Sequence, residues 1–213
     1  MVIGNDLRNE IRNDKEDNLV PDWGSGNEAT DWKMAATKAG NAILKEDPTQ
    51  LIIIEGLHYA NNMAPIKTNP IQLDTPNKLV YSFHYYDWQP EVAGTDSYEE
   101  LRDDLDKHVA FMLEEGHDYT APLWLGEFGT SSDSNYWKFL IQYLGERTQI
   151  GWSYWAYNGY QHTPADDESF GILNNDMKTV RHPWKLADLQ KVQDTTSSSD
   201  ATGYWLPYAQ FLN

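Results

Sequence analysis

The segment Pro122–Gly129 places one carboxylate, Glu127, at the end of a short apolar run and between two glycines. An apolar run bounded by turn residues predicts a buried strand. A carboxylate at the point where such a strand meets its loop is costly to desolvate unless it is paired or takes part in chemistry. Glu127 is therefore either a structural acid in a salt bridge or a member of an active site, and its companions decide between the two.

Polar or aromatic side chains also follow the other four apolar runs of the chain. They are Asn9 with Glu10, Glu55 with His58, His84 with Tyr86, and Trp155. Loops that serve only as turns would carry mostly Gly, Asn, Asp and Ser. In a closed parallel barrel the carboxyl ends of all strands lie on one face, where active sites are found. If these runs are parallel strands, their end residues converge on a single cleft with Glu127.

Strands and helices are predicted to alternate along the chain. Strands are expected near residues 2–4 and at 51–54, 79–83, 123–125 and 150–155. Helices are expected over 28–46, 97–115, 134–148 and 183–191, the first with a core face of Ala35, Ala39, Ala42 and Ile43 and the second opened by a Ser97–Glu100 capping box. Alternation implies a parallel sheet, either a closed barrel or a doubly wound open sheet. No glycine-rich phosphate loop follows a strand, which disfavours the nucleotide-binding open sheet.

The motifs at the strand ends resemble those of glycoside hydrolase family 5, the family of cellulase-like barrels. In chain order they are Asp6–Glu10, Ile54–Gly56, His84–Tyr86, Leu125–Gly129, Trp152–Trp155, Ser169–Leu173 and Pro183–Leu186. Each motif alone is weakly specific, but their consistent order over residues 2–190 makes the resemblance strong. It implies an α/β fold of the (β/α)8 TIM-barrel type, with strands four to eight in this chain as a partial barrel.

The resemblance implies a retaining glycoside hydrolase with Glu127 as nucleophile and Glu10 as general acid/base. Such enzymes use two carboxyls about 5–5.5 Å apart, one attacking the anomeric carbon and one protonating the leaving oxygen. It assigns four further residues to the substrate or the nucleophile: Asn9 to the sugar 2-hydroxyl, His84 to hydrogen bonding in the cleft, Tyr86 to orienting Glu127, and Trp155 to stacking under the sugar. The expected substrate is a β-glycan polysaccharide or oligosaccharide, and no metal or cofactor is expected.

Two other functions are compatible with the same residues. A catalytically silent carbohydrate-binding protein would keep Tyr86 and Trp155 as platforms and bind oligosaccharides without turnover. A metal-dependent barrel hydrolase would instead use Glu55, His58, His84 and Glu127 as ligands, since histidine and carboxylate ligands suit Zn or Mn. Glu55 is interpreted as a structural acid paired with a cation. Four tryptophans are equally compatible with loop anchoring and with sugar stacking, namely Trp23, Trp32, Trp88 and Trp124.

The composition of the chain limits the classes of molecule that it is expected to bind. The formal net charge of −17 disfavours nucleic acid and anionic membrane surfaces, because both rely on Lys and Arg for attraction. The chain contains nine Trp and thirteen Tyr, which suit a neutral glycan as well as a core. Cysteine is absent, so no disulfide or thiolate site can form.

Residues 1–193 are expected to form the C-terminal part of a glycoside hydrolase catalytic domain. Residues 194–213 begin with a Ser/Thr/Asp-rich stretch and are expected to be a linker-like tail. Since only five of eight strands are present, we expect a fragment of a longer protein with little activity by itself. The resemblance implies a secreted full-length form, although Met1 is not followed by a basic and then apolar signal sequence.

Overall fold

The structure is a computed structural model that describes residues 2–89 and 96–193. Its strands are β1 (Gly4–Asp6), β2 (Leu51–Glu55), β3 (Leu79–His84), β4 (Leu123–Glu127) and β5 (Ile150–Trp152). Its longer helices are α1 (Trp32–Glu46), α2 (Tyr98–His108), α3 (Asn135–Glu146) and α4 (Pro183–Val192), with short helical turns at Leu57–Ala60, Ala64–Lys67 and Ala110–Leu113. The tail predicted for residues 194–213 lies outside the described residues.

The five strands form one parallel sheet in the order β1-β2-β3-β4-β5. Neighbours in the sheet are therefore neighbours in sequence, and a helix connects most of them, as predicted from the alternation of elements. All strands point the same way, so their carboxyl ends meet along one edge of the sheet. None of the helices in the described part of the chain has the length and apolar composition that crossing a bilayer requires.

The outer face of the sheet carries the apolar core. Ile54 of β2 pairs with Tyr81 of β3, and Phe83 pairs with Leu125 of β4. Residues paired in register point to the same face, and all four of these side chains are fully or almost fully buried. Burying a large apolar side chain contributes about 1.5–3 kcal/mol, so each of these four side chains stabilises the packing of the sheet.

Helix α1 packs on this outer face mainly through residues other than those predicted. Of the predicted core face, Ile43 is partly buried against the core. The buried positions of the helix are Ala36, Gly40 and Leu44, whereas Ala35, Ala39 and Ala42 are exposed. A Cβ on Gly40 would lie 2.9 Å from Cγ2 of Ile52, so glycine allows a close approach of helix to strand. The prediction was wrong because it weighted alanines as core residues and overlooked a contact that only a missing side chain permits.

The boundaries of other elements also differ from the prediction, and the first strand is Gly4–Asp6 rather than residues 2–4. The helix expected over 97–115 ends at His108, because Val109 has a non-helical φ of −130°, and a separate short turn follows. Its predicted cap is present, with the Ser97 side chain accepting a hydrogen bond from the Glu100 N–H. The strand expected over 150–155 ends at Trp152, and the Ser153 hydroxyl donates to the carbonyl of Gly126 on the neighbouring strand.

Candidate active site

The centre of the site is His84, the last residue of β3, which is buried among three carboxylates. Its Nδ1 lies 3.1 Å from Oε1 of Glu10 and 3.7 Å from Oε2 of Glu127. Its Nε2 lies 3.3 Å from Oε1 of Glu55. The strand ends predicted to converge from β1, β2, β3 and β4 therefore do meet, and they do so around one imidazole ring.

The carboxylates determine the charge of this ring. Burial alone lowers the pKa of a histidine, but hydrogen bonds to Glu10 and Glu55 and the charge of Glu127 outweigh it and raise the pKa of His84 to about 9. The ring is then an imidazolium at neutral pH, with an N–H on each nitrogen. It can donate to Glu10 on one side and Glu55 on the other, and it holds the acids together.

Glu55 is a buried acid that holds two other residues of the site in place. Its side chain is only 1% exposed, and its second oxygen accepts a 2.6 Å hydrogen bond from the backbone N–H of Glu10. The cation predicted to pair with Glu55 is therefore the imidazolium of His84. Glu55 also fixes the backbone at Glu10, a function that no sequence pattern predicted.

Glu127 is the last residue of β4, and Tyr86 lies beside it. The Tyr86 hydroxyl donates a 2.9 Å hydrogen bond to Oε2 of Glu127, as the motif resemblance implied. Burial raises the pKa of the Glu127 carboxyl above its ordinary value, while His84 and the Tyr86 hydroxyl oppose that rise. Burial also raises the pKa of Tyr86, so this hydroxyl stays protonated and acts as a donor.

Glu10 follows β1 and turns its carboxylate into the site. It has a left-handed φ of 50°, a conformation uncommon in residues other than glycine and often found at functional sites. One oxygen of Glu10, one nitrogen of His84 and one oxygen of Glu127 lie within 4.8 Å of one another. The two acids are thus close enough to act on the same bond. Asn9 precedes Glu10 and is exposed.

Trp155 lies beyond the end of β5 rather than within it. Its backbone N–H donates to the carbonyl of Phe128, 2.9 Å away and one residue after Glu127. The side chain is 45% exposed, and the peptide bond to Ala156 is cis. Trp155 is therefore partly open to solvent, and its backbone is anchored one residue beyond Glu127.

The other tryptophans separate into two groups. Three anchor loops or strands through their indole N–H: Trp23 to the Asn69 carbonyl, Trp32 to the Glu55 carbonyl and Trp124 to the Ser153 hydroxyl. Trp88 is instead 54% exposed and stacks on the ring of Tyr86, with ring centroids 5.5 Å apart. Only Trp88 of these four borders the site through an aromatic face.

A metal ion would have to be held by Glu10, His84 and Glu127, the one group of potential ligands within mutual reach in the described ranges. His58, predicted as a possible ligand, lines a separate cavity with Asp104 and His108. Metal binding requires a neutral imidazole with a free lone pair. A metal ion bound there would therefore have to displace a proton from the His84 ring, whose pKa is about 9.

The amino-acid sequence matches the family Cellulase (glycosyl hydrolase family 5) over residues 1–161. An endoglucanase from Paenibacillus polymyxa is 29% identical over 204 residues, covering 85% of this chain and 47% of that protein. The major extracellular endoglucanase of Xanthomonas campestris is 27% identical over 199 residues, covering 84% of this chain and 38% of that protein. The chain spans about half the length, or less, of these curated relatives.

Solved structures of the same kind share the fold. An endocellulase from the archaeon Pyrococcus horikoshii has a TM-score of 0.73 and 27% identity, covering 89% of this chain and 57% of that chain. The catalytic domain of the major endoglucanase of Xanthomonas campestris has a TM-score of 0.66 and 26% identity, with coverages of 89% and 56%. These likenesses confirm the predicted TIM-barrel class, of which the described residues form five parallel strands.

Proposed function

The chain belongs to glycosyl hydrolase family 5, and we propose that it carries the catalytic centre of a retaining β-glycan hydrolase of the endoglucanase type. Glu127 is the nucleophile and Glu10 the general acid/base. The observation that carries this proposal is the approach of the two carboxylates, since one oxygen of Glu10 lies within 4.8 Å of one oxygen of Glu127. Retaining enzymes need about 5–5.5 Å, whereas inverting enzymes leave about 6.5–9.5 Å for a water molecule.

The surroundings of each acid suit its role. Glu127 receives one hydrogen bond from Tyr86, which leaves its other oxygen available to attack an anomeric carbon. His84 lies beside both acids and balances the negative charge that would otherwise keep them apart. In the first step Glu127 displaces the leaving oxygen, which Glu10 protonates. In the second step Glu10 removes a proton from the water that releases the sugar.

Relatives support a glucan as substrate. Solved structures of the Pyrococcus horikoshii endocellulase include cellotetraose complexes of variants with one glutamate or one tyrosine replaced. We infer that this chain binds β-1,4-linked glucose oligosaccharides, with Trp155 stacking under one sugar and Asn9 bonded to a 2-hydroxyl. The Xanthomonas campestris relative is an extracellular endoglucanase, which supports an extracellular location for this protein as well.

Trapping the covalent intermediate tests the assignment even when turnover is slow. The chain is incubated with a 2-deoxy-2-fluoro-cellobiosyl fluoride, and the labelled peptide is identified by mass spectrometry. We expect one adduct, on Glu127, because the fluorine slows breakdown of the intermediate more than it prevents its formation. Glu127→Gln abolishes labelling, and Glu10→Gln strongly reduces hydrolysis of carboxymethyl-cellulose.

Glu115→Gln is the matched control, since it removes one exposed carboxylate on a distant loop. This variant should label and hydrolyse like the parent chain. Labelling of another residue, or normal hydrolysis by both Glu10→Gln and Glu127→Gln, would contradict the assignment. Binding of cellotetraose without any labelling would favour the silent carbohydrate-binding alternative.

A further inference from the structure

The ring of Tyr86 lies between two other aromatic rings. Trp88 stacks on it with centroids 5.5 Å apart, and Phe170 with centroids 6.1 Å apart, both at an interplanar angle of 25°. Tyr86 is 3% exposed as a result. Because the ring is confined by its neighbours, they set the direction in which its hydroxyl points toward Glu127.

Phe170 belongs to a loop after β5, and both of its backbone polar groups are held by side chains. Its carbonyl accepts hydrogen bonds from the Tyr154 hydroxyl at 2.6 Å and from Nζ of Lys185 at 2.8 Å. Its N–H donates to Oε1 of Glu168 at 3.1 Å. Glu168 and Lys185 are both buried. Buried side chains that bind the Phe170 backbone therefore fix the position of its ring.

Lys185 is the unusual member of this network, because α4 carries it into a fully buried position. Its ammonium lies 5.3 Å from the ring centre of Tyr154 and 5.7 Å from that of Trp184. Neither Glu168 nor any other carboxylate in residues 2–89 and 96–193 comes within ion-pair distance of it. A buried ammonium without a paired carboxylate is costly, which a methionine or leucine at this position would avoid.

We propose that Lys185 is a positioning residue of the catalytic centre. It fixes the carbonyl of Phe170, Phe170 confines the ring of Tyr86, and Tyr86 directs its hydroxyl to Glu127. Each link is a contact described above, and the series connects α4 to the residue proposed as nucleophile. The catalytic part of this inference rests on the proposed function, whereas the effect on the Glu127 carboxyl does not.

The charges around Lys185 indicate how pH acts on this network. Burial and the nearby guanidinium of Arg181 lower the pKa of Lys185 to about 8, and Glu168 opposes that shift. His182 precedes α4, and burial together with Lys185 and Arg181 lowers its pKa. His182 is thus neutral when Lys185 titrates. Above pH 8 the amine keeps its N–H donors but loses its attraction to the rings of Tyr154 and Trp184.

The test replaces the ammonium while preserving the volume of the side chain. In Lys185→Met, the Tyr86 hydrogen bond that lowers the pKa of Glu127 should weaken. A 13C NMR titration of the Glu127 carboxyl, assigned with Glu127→Gln, should therefore show a higher pKa than in the parent. In the activity assay, kcat and kcat/KM should both fall about tenfold with KM little changed, because the interaction acts on the reacting group.

Lys191→Met is the control, since Lys191 lies on the same helix but its side chain is 69% exposed. It should leave both the titration and the kinetics unchanged. Phe170→Leu tests the same series at its middle link and should raise the pKa of Glu127 even if Lys185→Met does not fold. In a Tyr86→Phe background, neither substitution should shift the Glu127 titration further.

An unchanged Glu127 titration in a folded Lys185→Met or Phe170→Leu variant would overturn the proposal and leave Lys185 a structural residue. A further shift in the Tyr86→Phe background would overturn the route through Tyr86. If the parent chain shows no hydrolysis or labelling, the proposed function fails in the activity arm. The titration still decides the positioning of Glu127 in that case.

Discussion

The two acids of the site stand on regions with very different support. Glu127 ends β4, which is paired on both sides, and its carbonyl accepts a 3.0 Å hydrogen bond from the N–H of Tyr85. Glu10 follows β1, a strand of three residues paired only with β2 in the described part of the chain. Val2 and Ile3 at the start of that region are 67% and 65% exposed.

The region around β1 is held at the site by a side chain from the neighbouring strand β2. Glu55 belongs to β2, and its buried carboxylate holds the Glu10 N–H at 2.6 Å while also contacting His84. The carboxylate of Glu10 can thus be positioned accurately although β1 buries few apolar side chains. The reason is that the Glu55 side chain, from the better supported strand β2, fixes the backbone at Glu10. The two acids therefore differ in the elements that hold them in place, and three experiments test this difference.

The largest effect is expected from Glu55→Leu. This substitution leaves Nε2 of the buried His84 imidazolium without its carboxylate partner and removes the acceptor for the Glu10 N–H. Removing one partner of a buried ion pair costs about 3–5 kcal/mol, and we expect the free energy of unfolding in urea to fall by that order. Glu55→Gln keeps an acceptor oxygen and should lose less.

The outcome discriminates between two ways of holding Glu10. If Glu55→Leu unfolds like the parent, β1 positions Glu10 by itself and the comparison above is wrong. Glu115→Gln, which removes an exposed carboxylate, is again the matched control and should leave the unfolding free energy unchanged within about 0.5 kcal/mol.

The second effect concerns pH. The folded pKa of His84, about 9, lies above the value of about 6.5 expected in the unfolded chain. A group whose pKa is raised on folding stabilises fully below its unfolded pKa, and that stability is lost as pH rises through the folded pKa. We expect the free energy of unfolding to fall by about 2–3 kcal/mol between pH 6.5 and 9.

Lys185 adds a slope of opposite sign above pH 8, because its pKa of about 8 lies below its ordinary value. The Asp6 carboxyl, whose pKa burial and the charge of Glu55 raise to about 7, adds a decline of its own up to that pH. The decline due to His84 should therefore be clearest between pH 7 and 8. Urea unfolding at several pH values measures this decline in the free energy of unfolding. The substitution His84→Gln should flatten the profile. His117→Gln is the control, because the side chain of His117 is half-exposed. A parent profile that rises over this window would show that the three carboxylates do not charge the ring.

The smallest effect is expected at the edge strand. Gln50 accepts a 3.3 Å hydrogen bond from the Asn5 side chain and donates one of 3.2 Å to the Val2 carbonyl. Gln50→Ala should cost about 1 kcal/mol and speed amide hydrogen exchange in β1 without affecting β3 or β4. The control Gln142→Ala removes a side-chain hydrogen bond on the surface of α3. Equal acceleration across the sheet would mean that β1 and β4 open together.

The sequence alone predicted most of the secondary structure and four residues that the structure brings together, namely Glu10, His84, Tyr86 and Glu127. Runs such as Leu51–Glu55 and Leu79–His84 are apolar and short enough to predict strands without knowledge of their partners. The buried face of α1 was predicted wrongly, because a close contact at Gly40 depends on what Ile52 presents to it. The roles of Lys185 and Phe170 beside the site were not predicted. No pattern of neighbouring residues shows that a lysine is buried, or that one carbonyl accepts hydrogen bonds from two side chains.

The amino-acid sequence specifies the chemical groups of the site and their order along the chain, including two carboxylates, a histidine and a tyrosine at successive strand ends. Strand and turn preferences are local, so they can be read from neighbouring residues. The folded arrangement was needed to learn that the carboxylates surround the ring of His84, that His84 is charged and that Glu55 holds the backbone of Glu10. Charge and hydrogen bonding depend on distance and burial, and those arise when residues more than 40 positions apart are packed together.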